Sequence, residues 1–216
     1  MIPGLQGVLF DNDGTLVDTY QLLLVSFRYA TQKVLGYVPP DEVLMASVGT
    51  PLADQMYDFT DDPATAQELL VVYREYNHKI HDQMVAPFAG MADALAACKR
   101  QGLALGVVTS KLHALAWHGL EVTGLSEYFD FLIGPDDWPE HKPKPGPILR
   151  GCQLMGISPE TCAYVGDSPF DIQAGNAAGA VSIAALWGMF PPQQLRAQSP
   201  DYMCESVSDL QALLAE

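Results

Sequence analysis

Two aspartates lie on either side of a single residue near the start of the chain. The segment Asp11-Asn12-Asp13-Gly14-Thr15 directly follows the apolar run at 7–10. A tight turn at the glycine would allow both carboxylates to face one pocket, and like charges that close need a cation or a shared proton. Mg²⁺ suits that role because hard cations prefer carboxylate and carbonyl oxygens. The alternative is an Asx-rich surface turn, although the end of a buried strand is a poor place for unused charge.

Two further segments carry groups that can bind anions. Thr109, Ser110 and Lys111 follow the apolar run at 103–108. Their hydroxyls and free N–H groups could hold a phosphate, or they could simply cap a helix. Lys142 lies in the run His-Lys-Pro-Lys-Pro, where prolines restrict the backbone. A lysine held in this way can neutralise a carboxylate and a phosphate together, and a solvent-facing basic loop is the alternative.

A second acidic pair follows another apolar run, at 162–165. Asp167 comes directly after the strand that this run predicts, and Asp171 lies four residues later in the first turn of a helix. Both carboxylates could contact the cation proposed for the first pair. For Asp171 the alternative is a favourable interaction with the helix dipole.

Apolar runs alternate with helical patterns, which predicts an α/β fold with a parallel sheet and crossover helices. The predicted strands are 7–10, 103–108, 129–133, 162–165 and 181–186, and the predicted helices are 19–35, 41–47, 51–57, 63–84, 91–101, 112–120, 147–155, 170–178 and 209–214. No strand pattern occurs between 16 and 85. We therefore expect a core of 1–15 and 86–216 with an all-helical insertion at 16–85. Ligands of such sheets bind beyond the carboxyl ends of the strands, where the four polar segments would converge.

The overall charge restricts the partners of the protein. The chain has 216 residues, 11 lysines and arginines, 26 aspartates and glutamates, and a net charge of −15. This balance disfavours binding to nucleic acid or to anionic membranes, both of which require basic surfaces. No apolar run is long enough to span a bilayer, no secretory signal is evident, and the four cysteines show no metal-ligand spacing. We expect free thiols and a cytoplasmic location, and the sequence does not indicate an oligomeric state.

Taken together, the motifs DNDGT (11–15), VVTSK (107–111), KPKP (142–145) and GDSPFD (166–171) resemble the haloacid dehalogenase-like phosphohydrolases in type and order. The resemblance implies a Rossmann-like core with a helical cap at 16–85. It implies Asp11 as the nucleophile that forms an aspartyl-phosphate and Asp13 as general acid and base. Thr109, Ser110 and Lys142 would bind the phosphoryl group.

The resemblance also implies a Mg²⁺ ion on the Asp11 carboxylate, the Asp13 backbone carbonyl and Asp167, with Asp171 in its outer shell. Asp13 favours transfer of the phosphoryl group to water, since dehalogenase members of the superfamily lack this second aspartate. Asn12 departs from the apolar residue usual in relatives, and we have no physical account of it.

The cap resembles the phosphoglycolate phosphatases and the pyrophosphatases with the same type of cap. We expect hydrolysis of a small phosphate monoester such as phosphoglycolate, with inorganic pyrophosphate as the close alternative. A β-phosphoglucomutase-type phosphoryl transferase and a non-catalytic scaffold are further alternatives. Among basic residues of the cap helices, Arg28, Arg74, His78 and Lys79 are candidate anion contacts, although solvated surface charges are the more common case.

Overall fold

A computed structural model describes residues 2–215 of the chain. Its strands are β1 (Gly7–Phe10), β2 (Val17–Asp18), β3 (Ala86–Pro87), β4 (Ala104–Val108), β5 (Leu132–Ile133), β6 (Cys162–Gly166), β7 (Val181–Ala185) and β8 (Tyr202–Cys204). Its α-helices are α1 (Tyr20–Leu35), α2 (Asp41–Leu44), α3 (Leu52–Gln55), α4 (Pro63–Met84), α5 (Met91–Arg100), α6 (His113–Val122), α7 (Gly146–Met155), α8 (Pro169–Ala178), α9 (Pro192–Arg196) and α10 (Val207–Ala215). Single 3₁₀ turns lie at Met56–Asp58, Ser126–Tyr128 and Pro159–Thr161.

Six strands form a parallel sheet in the order β5-β4-β1-β6-β7-β8. The expected α/β architecture is therefore confirmed. Strand β1 lies between β4 and β6, so the strand order reverses beside it. Such a reversal leaves a crevice at the carboxyl ends of the strands, and this crevice is the usual ligand site of open α/β sheets.

The central strand is apolar because both of its faces are covered. Val8 and Phe10 belong to the buried cluster on one face of the sheet, and Leu9 belongs to the cluster on the other face. This alternation follows from the two-residue period of a strand. All four residues of β1 are buried, so the chain leaves the sheet at Asp11 from a tightly held position.

The helices α1 to α4 form a block between β2 and β3 with a buried cluster of their own. Phe27 on α1 and Tyr73 on α4 pack with ring centroids 4.7 Å apart. Helix α4 begins after Asp62, whose carboxylate accepts a hydrogen bond from the Thr65 N–H at 2.9 Å, and Pro63 occupies its first turn.

The expectation of no strand between 16 and 85 is wrong, because the short strand β2 (Val17–Asp18) lies in this range. Strand β2 pairs antiparallel with β3, so that Val17 lies opposite Pro87 and Asp18 opposite Ala86. Each strand has only two residues, and a pattern of alternating polarity cannot be recognised over that length.

Other short elements also differ from expectation. The strand predicted at 129–133 is confined to Leu132–Ile133, because a 3₁₀ turn ends at Tyr128 just before it. The helix predicted at 41–47 ends at Leu44, and the one at 51–57 divides into α3 and a 3₁₀ turn. Strand β8 and helix α9 were not predicted. All are too short for their periodicity to be read.

The four cysteines are buried free thiols. Among residues 2–215, no helix combines the length and the apolar character that crossing a membrane requires.

Candidate active site

The sheet places three of the predicted site residues at adjacent strand ends. Asp11 follows β1, Thr109 follows β4 and Asp167 follows β6. Backbone hydrogen bonds continue the ladder to these positions, since the Asp11 N–H donates to the Val165 carbonyl at 2.9 Å. The side chains therefore project from one edge of the sheet.

A buried lysine joins two of the acids. Nζ of Lys142 donates a hydrogen bond to Oδ1 of Asp171 at 2.6 Å and lies 3.0 Å from Oδ1 of Asp11. Its side chain is only 1% exposed. The loop between β5 and α7 thus turns inward at Lys142, and the alternative of a solvent-facing basic loop does not hold for this residue.

Asp167 is fixed by two donors. The Thr15 hydroxyl donates to its Oδ1 at 3.0 Å, and the Met189 N–H donates to its Oδ2 at 2.7 Å. Both donors come from loops far away in the sequence. The carboxylate is consequently held in one orientation beneath the segment that carries Asp11.

Asp171 is held just as firmly by the start of α8. Its Oδ2 accepts hydrogen bonds from the N–H and the hydroxyl of Ser168, and the Ser168 hydroxyl in turn accepts from the Asp171 N–H. This reciprocal arrangement is a capping box. The hydroxyl of Tyr164 lies 3.0 Å from Asp171 Oδ1 and 2.9 Å from the Val108 carbonyl oxygen.

Asp13 contacts a different cation. Nζ of Lys111 donates to Oδ1 of Asp13 at 3.0 Å. Burial opposes ionisation of Asp13, but the charge and hydrogen bond of Lys111, with smaller effects of Thr19 and Asn12, hold the pKa of Asp13 below its usual value. No partner could be assigned to Lys111 from the sequence, and the structure shows that this partner is Asp13.

The pKa values of the remaining buried groups show that Lys142 alone does not offset the negative charge of the acids around it. Burial raises the pKa of Asp11 to about 7 despite the opposing effect of Lys142. Burial and the charges of Asp171 and Asp11 raise the pKa of Asp167 well above its ordinary value. Burial acts to lower the pKa of Lys142, but the charges of Asp11 and Asp171 outweigh it and raise that pKa.

This arrangement fits a divalent cation. Oxygens of Asp11, Asp167 and Asp171 lie within 4.8 Å of one another, and all three residues are buried. Among residues 2–215, no hydrogen bond of good geometry reaches Oδ1 of Asp11. Three carboxylates against one ammonium leave an excess of negative charge, which a hard cation with oxygen ligands would balance.

Two glycines allow this close packing. Gly14 has a φ of +80°, and a Cβ atom there would collide with the Asp167 carboxylate. A Cβ atom at Gly188 would also collide with the side chain of Asp167. The backbone must therefore approach Asp167 more closely than any other residue type permits.

A cavity of about 230 Å³ opens over Asp11 and Asp13. Thr109, Ser110 and Lys111 line it on the sheet side, and residues of α1, α3 and α4 line it from the helical block. The Ser110 hydroxyl donates to the Gly49 carbonyl oxygen at 2.6 Å, so it faces the helical block.

The structure thus brings together Asp11, Asp13, Lys142, Asp167 and Asp171 with Thr109 and Ser110, and their catalytic roles remain predictions. The cap residues separate into two groups. Arg74 lines the cavity, whereas Arg28 forms an ion pair with Asp41 at the surface, and His78 and Lys79 are exposed.

Several residues of the site were missed by sequence reasoning. They are the donors or spacers around the acids: Thr15, Ser168, Tyr164, Gly188 and Met189. Thr15 and Ser168 stand beside motif acids and could have been recognised from that position. No local signal marks Met189, which contributes only its backbone.

Comparisons with known proteins agree with this geometry. A protein of Caldanaerobacter subterraneus subsp. tengcongensis, named "Putative pyrophosphatase PpaX", is 39% identical over 203 residues, which is 94% of this chain and 91% of the relative. Pyrophosphatase PpaX of Bacillus cereus is 33% identical over 97% of this chain and 96% of its own. A crystal structure of a predicted phosphoglycolate phosphatase from Haemophilus somnus has the same fold, with a TM-score of 0.90, 23% identity and 99% coverage of both chains.

The sequence profile of one protein family matches most of the chain. The profile of the haloacid dehalogenase-like hydrolases matches residues 8–185, a range that includes all four acid and lysine motifs. With the coverage of the pyrophosphatase relatives, this match shows that the chain belongs to the haloacid dehalogenase-like hydrolase family.

Proposed function

We propose that the protein is a Mg²⁺-dependent phosphohydrolase that acts on a small phosphorylated substrate through an aspartyl-phosphate. The observation that carries this proposal is the contact of buried Asp11 with Lys142 beneath a cavity, beside two further buried carboxylates. A carboxylate nucleophile divides one difficult displacement into two easier steps.

In the first step an oxygen of Asp11 bonds to phosphorus, and the bond from phosphorus to the leaving oxygen breaks. Asp13 delivers a proton to that oxygen, which requires its ion pair with Lys111 to open, because that pair favours the ionised form of Asp13. Lys142 stabilises negative charge on the transferring group through its ammonium, which already lies 3.0 Å from Asp11. Thr109 and Ser110 at the end of β4 would contact the phosphoryl oxygens.

In the second step Asp13 acts as the base. It takes a proton from water, the water oxygen bonds to phosphorus, and the bond to Asp11 breaks with release of phosphate. The low pKa of Asp13 beside Lys111 favours the ionised form that this step needs.

Asp11 and Asp167 would hold the Mg²⁺ ion, together with the Asp13 backbone carbonyl, and Asp171 would lie behind them. A bound ion would supply positive charge that keeps the buried carboxylates ionised and offsets charge on the phosphoryl group. Asp171 positions Lys142, since it accepts the shorter of the two contacts of that ammonium.

The helical block at 16–85 would act as a cap, with 1–15 and 86–216 as the catalytic core. Its loop reaches the site, because the Gly49 carbonyl accepts the Ser110 hydrogen bond. Closure of this block over Asp11 would exclude bulk water from the reacting group.

Inorganic pyrophosphate is the substrate that the relatives favour, because relatives at 33–39% identity carry the name pyrophosphatase. A monoester such as phosphoglycolate, which the sequence alone placed first, is the second candidate, and it is supported by the resemblance of the cap. Both are small enough for the cavity.

Steady-state phosphate release from pyrophosphate and phosphoglycolate, measured side by side with Mg²⁺, tests the proposal. We expect higher kcat/KM for pyrophosphate, and no turnover above background for Asp11→Asn. Wild-type rates in that variant would contradict the mechanism. Isomerisation of a sugar phosphate without phosphate release would favour a transferase, and a purified chain inert toward a broad panel of phosphate esters would favour a scaffold.

A further inference from the structure

The cavity over Asp11 has two kinds of wall. Asp11 and Asp13 form its floor, and apolar side chains such as Leu23, Phe27 and Phe190 form much of its sides. An anionic substrate gains nothing from contact with the apolar part. Basic side chains at the cavity therefore decide which additional charges a substrate can carry.

Two basic side chains line this cavity, Lys111 and Arg74. Lys111 is already paired with Asp13 at 3.0 Å. Within residues 2–215, by contrast, Arg74 has no hydrogen bond or ion pair from its guanidinium. It is half-buried and comes from α4, where it follows Tyr73 and lies three residues, about one helical turn, before the buried Asn77.

The other arginine of the cap shows what a structural role looks like. Arg28 on α1 forms a two-pronged pair with Asp41, with Nη2 at 2.7 and 2.8 Å from the two carboxylate oxygens. Arg74 has no such partner within residues 2–215, although the chain has 26 acidic residues and only 11 basic ones. A partly desolvated guanidinium without a partner is unfavourable, and a ligand anion would relieve that cost.

We propose that Arg74 forms a second anion subsite, which selects substrates that carry another negative group beside the phosphoryl group that is transferred. The planar guanidinium matches a phosphate or a carboxylate with two parallel hydrogen bonds. Pyrophosphate and phosphoglycolate both carry such a group. A monoester such as p-nitrophenyl phosphate does not, because its organic group carries no anionic substituent.

This inference rests on the proposed function, so its test combines hydrolysis with binding. Wild-type protein, Arg74→Gln, Arg74→Lys and the matched control Arg28→Gln are assayed with Mg²⁺ on pyrophosphate, phosphoglycolate and p-nitrophenyl phosphate. For Arg74→Gln we expect kcat/KM to fall about 10- to 100-fold on the substrates with two anionic groups, mainly through KM. The rate on p-nitrophenyl phosphate should change by less than about 3-fold.

The conservative variant Arg74→Lys and the control Arg28→Gln distinguish a loss of anion binding from a general effect of removing an arginine. Arg74→Lys should recover part of the loss, because it restores the charge without the two-pronged geometry. Arg28→Gln should match wild type on every substrate. A loss confined to one of the two doubly anionic substrates identifies the second group as phosphate or as carboxylate. Equal losses on all three substrates, or no loss on either doubly anionic one, would overturn the proposal.

A binding measurement separates this proposal from the proposed function. Calorimetry compares two probes that resist hydrolysis. Methylenediphosphonate carries two anionic phosphonate groups, and methylphosphonate carries one. If the wild type hydrolyses nothing but binds methylenediphosphonate about 10-fold more tightly than Arg74→Gln does, the subsite stands and the hydrolytic function fails. If both proteins bind the two probes equally, the subsite fails.

Discussion

The ammonium of Lys142 lies 3.0 Å from the carboxylate of Asp11, and the two side chains are only 1% and 6% exposed. The same ammonium lies 2.6 Å from Asp171, which is fully buried. One cation therefore serves two carboxylates that are almost completely buried. From this position we expect Lys142 to stabilise both the transferring phosphoryl group and the two buried carboxylates.

Lys142→Met tests both contributions. We expect kcat to fall about 10²- to 10³-fold, because a preorganised positive charge at the reacting group is lost. Without added metal, the free energy of unfolding should fall by about 3–5 kcal/mol, because two buried carboxylates lose their partner. Chemical denaturation and steady-state kinetics measure these effects. Lys144→Met, at the exposed lysine of the same loop, should leave both quantities unchanged. Equal behaviour of the two variants would count against the role of Lys142.

Asp167→Asn tests the metal ligands without relying on turnover. Removal of one buried carboxylate should weaken Mg²⁺ binding at least about 10- to 100-fold, as measured by calorimetry. We expect Mg²⁺ to raise the melting temperature of the wild type, and we expect this increase to disappear in Asp167→Asn. Asp130→Asn removes a carboxylate that is paired with Lys99 at the surface, and serves as the control. Wild-type Mg²⁺ affinity in Asp167→Asn would rule out this ligand.

Gly14→Ala tests the close approach of the backbone to Asp167. Gly36 is a matched control, because it has the same φ of +80° and its added Cβ would meet nothing within 4 Å. Gly36→Ala should cost about 1–2 kcal/mol of stability from backbone strain alone. Gly14→Ala should cost more, and should also weaken Mg²⁺ binding by displacing the Asp167 carboxylate. Denaturation and Mg²⁺ titration compare the two. If they lose equal stability and bind Mg²⁺ alike, the packing argument is wrong.

His81 on α4 should make stability fall in mild acid. Burial lowers the pKa of His81 below 6.5, although its hydrogen bond with Asp82 acts in the opposite direction. The unfolded chain therefore takes up a proton first, and the stability present above pH 6.5 is lost as the pH falls through the folded pKa. The decline from this residue cannot exceed about 1.4 kcal/mol per pH unit.

Denaturation between pH 5 and 8 measures this contribution. His81→Gln should show a shallower decline below about pH 6.5, because glutamine does not titrate. His78→Gln, at an exposed position of the same helix, should follow the wild-type curve. A His81→Gln curve parallel to the wild-type one would contradict the prediction. Asp82 also contacts His118 at 2.8 Å, so His118 is left unchanged in both variants.

The acids and Lys142 could be predicted because each depends on a strong local pattern. Asp11 and Asp167 follow buried apolar strands, and parallel strands bring their carboxyl ends together wherever the helices lie. Lys142 was predicted to belong to the site, but its inward orientation depends on Asp11 and Asp171, which are distant in sequence. The family resemblance supplied roles that the pattern alone left open.

The remaining features depend on packing between distant segments. The loop after β7 brings the Met189 N–H to Asp167, and nothing in the sequence around Met189 indicates a donor. The pairing of Lys111 with Asp13, and the absence of a partner for Arg74 among the described residues 2–215, likewise depend on the assembled cavity. The ribbon of β2 and β3 is too short for its alternation to be recognised.

That ribbon has a mechanical consequence. Both chain crossings between sheet and helical block run side by side, because Val17 lies opposite Pro87 and Asp18 opposite Ala86. A block attached along one line can swing about it without stretching either crossing, and no strand of the large sheet has to separate. Among residues 2–215, the contacts that resist the swing include two polar links, Ser110 to Gly49 at 2.6 Å and His118 to Asp82 at 2.8 Å, and the apolar packing of Met189 and Phe190 against the helical block. We expect the admission of a substrate to break these few contacts and to leave the hydrophobic core of the sheet intact.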